Sequence, residues 1–132
     1  KITDFGISRV WQQQEQASLT RHVGTSAYMA PELVNNEFYD EKCDIFSFAI
    51  IMFEVLVETT NPYGKATSFN IELQVARNPT FRPVLPENFV IGPDKMWYIS
   101  LMTKCWNHDP KERASFEDII SKLEQQLQET HL

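Results

Sequence analysis

A carboxylate, an aromatic ring and a glycine stand together at Asp4-Phe5-Gly6. Hard divalent cations take oxygen ligands, and a phosphoryl-transfer site needs a carboxylate on its metal because the metal bridges phosphate oxygens. Asp4 is of the type that could bind such a metal. Phe5 is suited to packing against a neighbouring unit, and Gly6 admits backbone geometry that a side chain would obstruct. On its own the triplet is also an ordinary turn sequence. Ser18 and Thr20 lie beside Arg21 and His22. A phosphate on either hydroxyl could pair with the arginine and order the segment; an unmodified polar loop is the plain alternative. Asp44 stands at the mouth of an apolar block, where an acid favours the helix dipole. His22, His108 and His131 have no metal-ligand spacing and read as solvated or packing residues.

The elements that must position these residues are mostly helical. Lys1-Ile2-Thr3 reads as the end of a short strand, and residues 7–30 have neither helical nor strand periodicity. A polar segment of that length is usually functional or mobile. Pro31-Glu32-Leu33 suits the first turn of a short helix. Lys42 to Glu58 reads as one helix, apolar on nearly every face and interrupted only by polar residues such as Ser47 and Glu54; such a helix must be wrapped by others. Asn61-Pro62-Tyr63-Gly64 is a turn. Thr67 to Arg77 reads as an amphipathic helix. Pro79, Pro83, Pro86 and Pro93 exclude a helix across 79–93. Asp94 is placed to cap a helix running to about Trp106. Ser115-Phe116-Glu117-Asp118 has a capping-box pattern, with Ile119, Ile120, Leu123 and Leu127 following at helical spacing.

The chain has 132 residues, enough for one modest domain, and its 42% hydrophobic and 23% charged content argues against global disorder. A net charge of −6 argues against nucleic acid as a partner, which calls for a basic face. The apolar run Ile45–Val57 is too short and too polar to span a bilayer. Cys43 and Cys105 lie inside apolar patterns, far from C-x-x-C spacing. They read as buried reduced thiols, and the expected location is cytoplasmic. No signal peptide is visible, and residue 1 is lysine.

Taken in order, the motifs resemble a protein kinase. Asp4-Phe5-Gly6-Ile7-Ser8-Arg9 resembles the metal-binding start of the activation segment in the tyrosine-kinase-like group. Gly24-Thr25-Ser26-Ala27-Tyr28-Met29-Ala30-Pro31-Glu32 resembles the segment's end in serine/threonine kinases. Asp44-Ile45-Phe46-Ser47-Phe48-Ala49 sits where that family has its central helix. Arg82-Pro83 and Cys105-Trp106-Asn107-His108-Asp109-Pro110-Lys111-Glu112-Arg113-Ala114-Ser115-Phe116 resemble the closing helices. Phe46 and Ala49 depart from the family's usual tryptophan and glycine.

The resemblance implies a mainly α fold: the C-terminal lobe of the α+β bilobal kinase fold, with residues 1–32 as activation segment and 33–132 as helical lobe. It implies ATP and Mg²⁺ as cofactors and a protein substrate. Asp4 would ligate Mg²⁺ on ATP, with Phe5 and Gly6 completing the cofactor-binding triplet. Thr25 would lie beside the catalytic loop and help place the acceptor serine or threonine. Gly24, Thr25, Ser26 and Tyr28 would line the pocket for the substrate residue after the acceptor. Glu32 and Arg113 would form a structural ion pair, and Asp44 would accept backbone N–H bonds from the catalytic loop. The family's glycine-rich loop, phosphate-binding lysine, its partner glutamate, the catalytic aspartate and the second metal-binding asparagine do not occur in these residues; all would precede residue 1. Two readings follow: an active serine/threonine kinase of which this is a C-lobe piece inactive alone, or a pseudokinase scaffold that binds partners without catalysis. An unrelated helical binding module would not need this ordered set of motifs. Without the helices that would precede it, the Lys42–Glu58 helix is expected to expose an apolar side and leave the isolated chain poorly soluble.

Overall fold

The computed structural model describes residues 1–6, 8 and 25–130. Among them there are five α-helices, three short 3-10 turns and no strand. Lys1-Ile2-Thr3 is irregular, not the end of a strand. A strand needs a neighbour to pair its backbone groups, and no described segment offers one.

Helix α1 (Pro31–Val34) begins with proline at its first turn, where a missing N–H costs nothing. Helix α2 spans Lys42–Val57. The Asp40 carboxylate accepts from the Lys42 N–H at 2.9 Å and so meets one of the orphan donors at its start. It ends at Glu58, which takes the left-handed conformation (φ 56°) where glycine is usual. Helix α3 (Ser68–Arg77) is capped by the Thr67 hydroxyl, which accepts from Asn70 N–H at 3.3 Å. Residues 78–92 contain no helix.

Helix α4 spans Met96–Cys105, and here the expected Asp94 cap is not made. Pro93–Lys95 forms a 3-10 turn that feeds directly into α4, so Asp94 lies inside a turn and not at a helix boundary. Helix α5 (Phe116–Thr130) opens with a reciprocal box: Ser115 N–H donates to Asp118 and Asp118 N–H donates to the Ser115 hydroxyl, both at 3.1 Å. The Ser115 backbone N–H foremost, and the Ser115 side chain after it, hold the Asp118 carboxyl below its ordinary pKa.

The core forms around α2. Ile45, Phe46, Ala49, Ile50 and Phe53 are buried, and around them close Ile71 and Val75 of α3, Met102 and Cys105 of α4, and Ile119 of α5. Tyr98 ties α4 to α2 by donating to the Met52 carbonyl at 2.9 Å. Both cysteines are buried and free. Burial first, and the nearby Asp44 and Glu32 charges after it, push the Cys43 thiol up to about 12, and burial raises Cys105 to about 11. Such thiols are inert at neutral pH.

Part of one side of α2 has no cover among the described residues. Asp44, Phe48, Ile51 and Val55 share a face at helical spacing. Phe48 meets Phe116 edge-on at 6.0 Å, but Ile51 and Val55 are 46% and 66% exposed. Replacing both with lysine is expected to raise the soluble yield of the 132-residue chain. It should change unfolding free energy by no more than about 0.5 kcal/mol, since neither side chain is buried. Expression yield and urea unfolding check this; a loss of several kcal/mol would mean that the face is covered.

Candidate active site

The extended stretch at Thr25 turns through a short 3-10 helix, Ser26–Tyr28, and enters α1 at Pro31. Three side-chain bonds fix this segment. The Tyr28 hydroxyl donates to Glu54 of α2 at 2.7 Å, and the Ser47 hydroxyl of α2 donates to the Tyr28 carbonyl at 2.7 Å. The Ser26 hydroxyl donates to the Glu72 carboxylate of α3. The bond to Glu54, with burial and the Glu54 charge behind it, raises the Tyr28 phenol above its ordinary pKa. Thr25 itself is exposed, and its side chain makes no capping bond.

Glu54 and Glu72 were not singled out as site residues by the sequence. Ser47 and Glu54 did carry a signal, for they interrupt an apolar helix, and a polar side chain there needs a partner. Glu72 carried none; it is one acid among several on an amphipathic helix.

Below the segment lies a buried ion pair. Arg113 donates from Nη1 to Glu32 Oε1 at 2.7 Å and from Nη2 to Oε2 at 2.9 Å. Both residues are nearly inaccessible, at 3% and 4% exposure. The remaining donors reach backbone oxygens: Nε to Asn107 at 2.8 Å, Nη1 to Lys42 at 2.8 Å and Nη2 to His108 at 3.4 Å. All five guanidinium N–H groups are thereby used. The pair clamps α1 and the segment before it onto the turn between α4 and α5.

The other candidates are less drawn together. Asp4 is exposed with φ 65°, and Phe5 is 65% exposed. The turn at Gly6 is closed by Ser8, whose N–H and hydroxyl both donate to the Phe5 carbonyl. No hydrogen bond or ion pair among the described residues links Asp4 to Thr25. Gly24, Ser18 and Thr20 lie outside the described residues. Asp44 is exposed, and among the described residues its one side-chain contact of hydrogen-bond type is the Cys43 thiol at 3.9 Å. No described N–H donates to it. Partial burial raises its pKa above the ordinary 3.8, partly offset by that thiol.

No group of three or more metal-ligating side chains occurs among the described residues. A lone, wetted Asp4 carboxylate still fits Mg²⁺, which keeps several waters and is commonly held by one or two carboxylates plus substrate phosphates.

The sequence model of the family described as protein tyrosine and serine/threonine kinase matches residues 1–123. This chain belongs to the protein kinase family. The "Probable serine/threonine-protein kinase drkC" of Dictyostelium discoideum is 38% identical over 125 residues, which cover 94% of this chain and 16% of that protein. "Dual specificity protein kinase shkB" of the same organism is 36% identical over 120 residues, 90% of this chain and 18% of that protein. "Serine/threonine-protein kinase STY17" of Arabidopsis thaliana is 35% identical over 129 residues, 98% of this chain and 21% of that protein. The chain therefore spans roughly a fifth or less of these kinases. Its helical, strand-free described architecture accords with the C-terminal lobe of the kinase fold. No described helix is long and apolar enough to cross a membrane.

Two outcomes follow from this geometry. Arg113→Ala strands a buried Glu32 carboxylate and should cost about 3–5 kcal/mol by urea unfolding. Arg113→Lys should recover only part, because an ammonium cannot make the two-pronged contact. For Asp44 the folded pKa lies above the unfolded value, so its contribution to stability is fully present below pH 3.8 and is lost as pH rises through the folded pKa. Asp44→Asn should remove that step from the curve of stability against pH, measured by chemical unfolding.

Proposed function

We propose that this chain is the metal-binding and substrate-docking part of an ATP-dependent protein kinase that transfers the γ-phosphate to serine or threonine of protein substrates in signalling. The observation that carries the reading is the buried Glu32–Arg113 pair. It fixes the start of α1, and with it the stretch Thr25–Tyr28, against a rigid helical body. A surface that must hold an acceptor hydroxyl in line for transfer gains most from such positioning. Residues 1–32 act as the activation segment and 33–132 as the helical lobe that supports it.

Within that scheme each residue has one task. Asp4 offers its exposed carboxylate to Mg²⁺ on ATP, with Phe5 and Gly6 setting its backbone. When bound, Mg²⁺–ATP supplies the phosphoryl group and neutralises its charge. Thr25 presents a free hydroxyl toward the acceptor, consistent with serine/threonine specificity. Gly24, Ser26 and Tyr28 shape the pocket for the next substrate residue, and the bonds from Ser26 to Glu72 and from Tyr28 to Glu54 keep that pocket rigid. Asp44, left without N–H donors here, is oriented to receive the catalytic loop. Ser18 and Thr20 are proposed as regulatory phosphorylation sites, and the cytoplasm as the place of action.

The test is transfer of radiolabel from ATP to a serine- and threonine-containing protein by the natural protein that carries this chain. Asp4→Asn is expected to lower the rate by at least about a hundredfold, because it removes a metal ligand worth several kcal/mol of charge stabilisation. The 132-residue chain by itself is expected to transfer none. Binding of ATP with no transfer, unchanged by Asp4→Asn, would sink the enzymatic reading in favour of a non-catalytic scaffold.

A further inference from the structure

A cavity of about 370 Å³ opens between the connection after α3 and the turn after α4, lined chiefly by Pro79, Thr80, Arg82, Trp106, Asn107 and His108. None of these residues has a task in the function proposed above. Arg82 is only 9% exposed, and its guanidinium is incompletely matched. Nε donates to the Trp106 carbonyl at 2.9 Å and Nη1 to the Phe81 carbonyl at 2.7 Å, while Nη2 is buried with no partner. His108 Nδ1 is likewise buried and unpartnered. Asn107 uses its side-chain oxygen to accept from the Asp109 N–H, which leaves its amide nitrogen free of any described partner.

Arg82 has no carboxylate in direct contact, and the acidic charge that acts on it is Glu32, already paired with Arg113. Arg82 and Arg113 both stand over the Phe46 ring, 4.9 and 5.2 Å from its centroid. Glu32 meets Arg113 in the one salt bridge among the described residues, and no carboxylate lines the cavity. Burial and the Arg82 and Arg113 charges lower the His108 pKa, against a weaker opposing pull from Glu32 and Glu37. Buried polar atoms nearly always have partners, and a buried charge without a counter-charge is costly. A trapped water would satisfy the nitrogens and leave the charge unmet; an anion satisfies both.

We propose that this cavity binds a compact oxyanion, a phosphate or carboxylate group, against the unpartnered edge of Arg82, with His108 and the Asn107 amide as flanking donors. The volume exceeds that of one anionic group and leaves room for the moiety that carries it. The site uses side chains to which the kinase reading gives no task, although the Asn107 and His108 carbonyls accept from Arg113.

The test titrates the purified natural protein with inorganic phosphate and, separately, with acetate, at constant ionic strength, following the His108 ring resonances by NMR and affinity by calorimetry. Saturable shifts with at least one anion are expected. Tighter phosphate binding would assign the site to phosphate groups, and tighter acetate binding to carboxylates. Arg82→Gln should weaken binding by about tenfold or more, the loss of a charged hydrogen bond. His108→Ala, which removes a side chain with no hydrogen bond among the described residues, should weaken it several-fold. Absence of saturable binding by either anion, or equal affinity in Arg82→Gln, would overturn the proposal. If Arg82→Gln does not fold, unchanged affinity in His108→Ala overturns it instead.

Discussion

A guanidinium withdrawn from water must find an oxygen for each of its N–H groups, and Arg113 does so by gathering three separate stretches of chain. Glu32 comes from α1, the Lys42 carbonyl from the start of α2, and the Asn107 and His108 carbonyls from the turn after α4. Lys42 reciprocates, its ammonium donating to the Arg113 and Ala114 carbonyls at 2.9 and 3.2 Å. The carboxylate neutralises the charge, but the backbone carbonyls make the arrangement specific, because they fix where each stretch can lie. Removing the pair would therefore loosen the segment on the surface as well as the turn beneath it.

Phe46 shows how a departure from a family's usual residue can be accommodated. It is fully buried, and two guanidiniums lie on its ring. A desolvated cation over an aromatic face gains of order 2 kcal/mol, and this ring serves Arg82 as well as Arg113. Ala49, one turn on, is also fully buried. The apolar helix and the cationic centre are thus a single construction, in which α2 supplies both the core and the platform on which buried charge rests.

Local signals in the sequence were good guides where the physics is local. Proline at the start of α1, the reciprocal bonds of Ser115 and Asp118 and the proline-broken connection all depend on residues a few positions apart. Asp94 was misleading because a carboxylate near a helix start marks a cap only if the chain leaves helical geometry there, and the Pro93 turn does not. The strand expected at Lys1-Ile2-Thr3 required a partner that short-range pattern cannot supply. Of the polar residues that hold Ser26–Tyr28, Ser47 and Glu54 were conspicuous as polar breaks in an apolar helix, whereas Glu72 acts across 46 positions and had no local signature. The unpartnered edge of Arg82 was invisible for the same reason: it depends on which carboxylates fail to arrive.

The Glu32–Arg113 contact joins residues 81 positions apart. A non-covalent tie across so long a stretch has an order of events written into it. A chain emerging from the ribosome N-terminus first makes α1 early, yet Glu32 has no counter-charge until residue 113 has emerged and the turn before α5 has formed. Until then the carboxylate is better left in water, so burial of Glu32 is expected to wait for residues synthesised after it. The surface proposed to meet a substrate is thereby expected to be fixed only once the helical body behind it has formed.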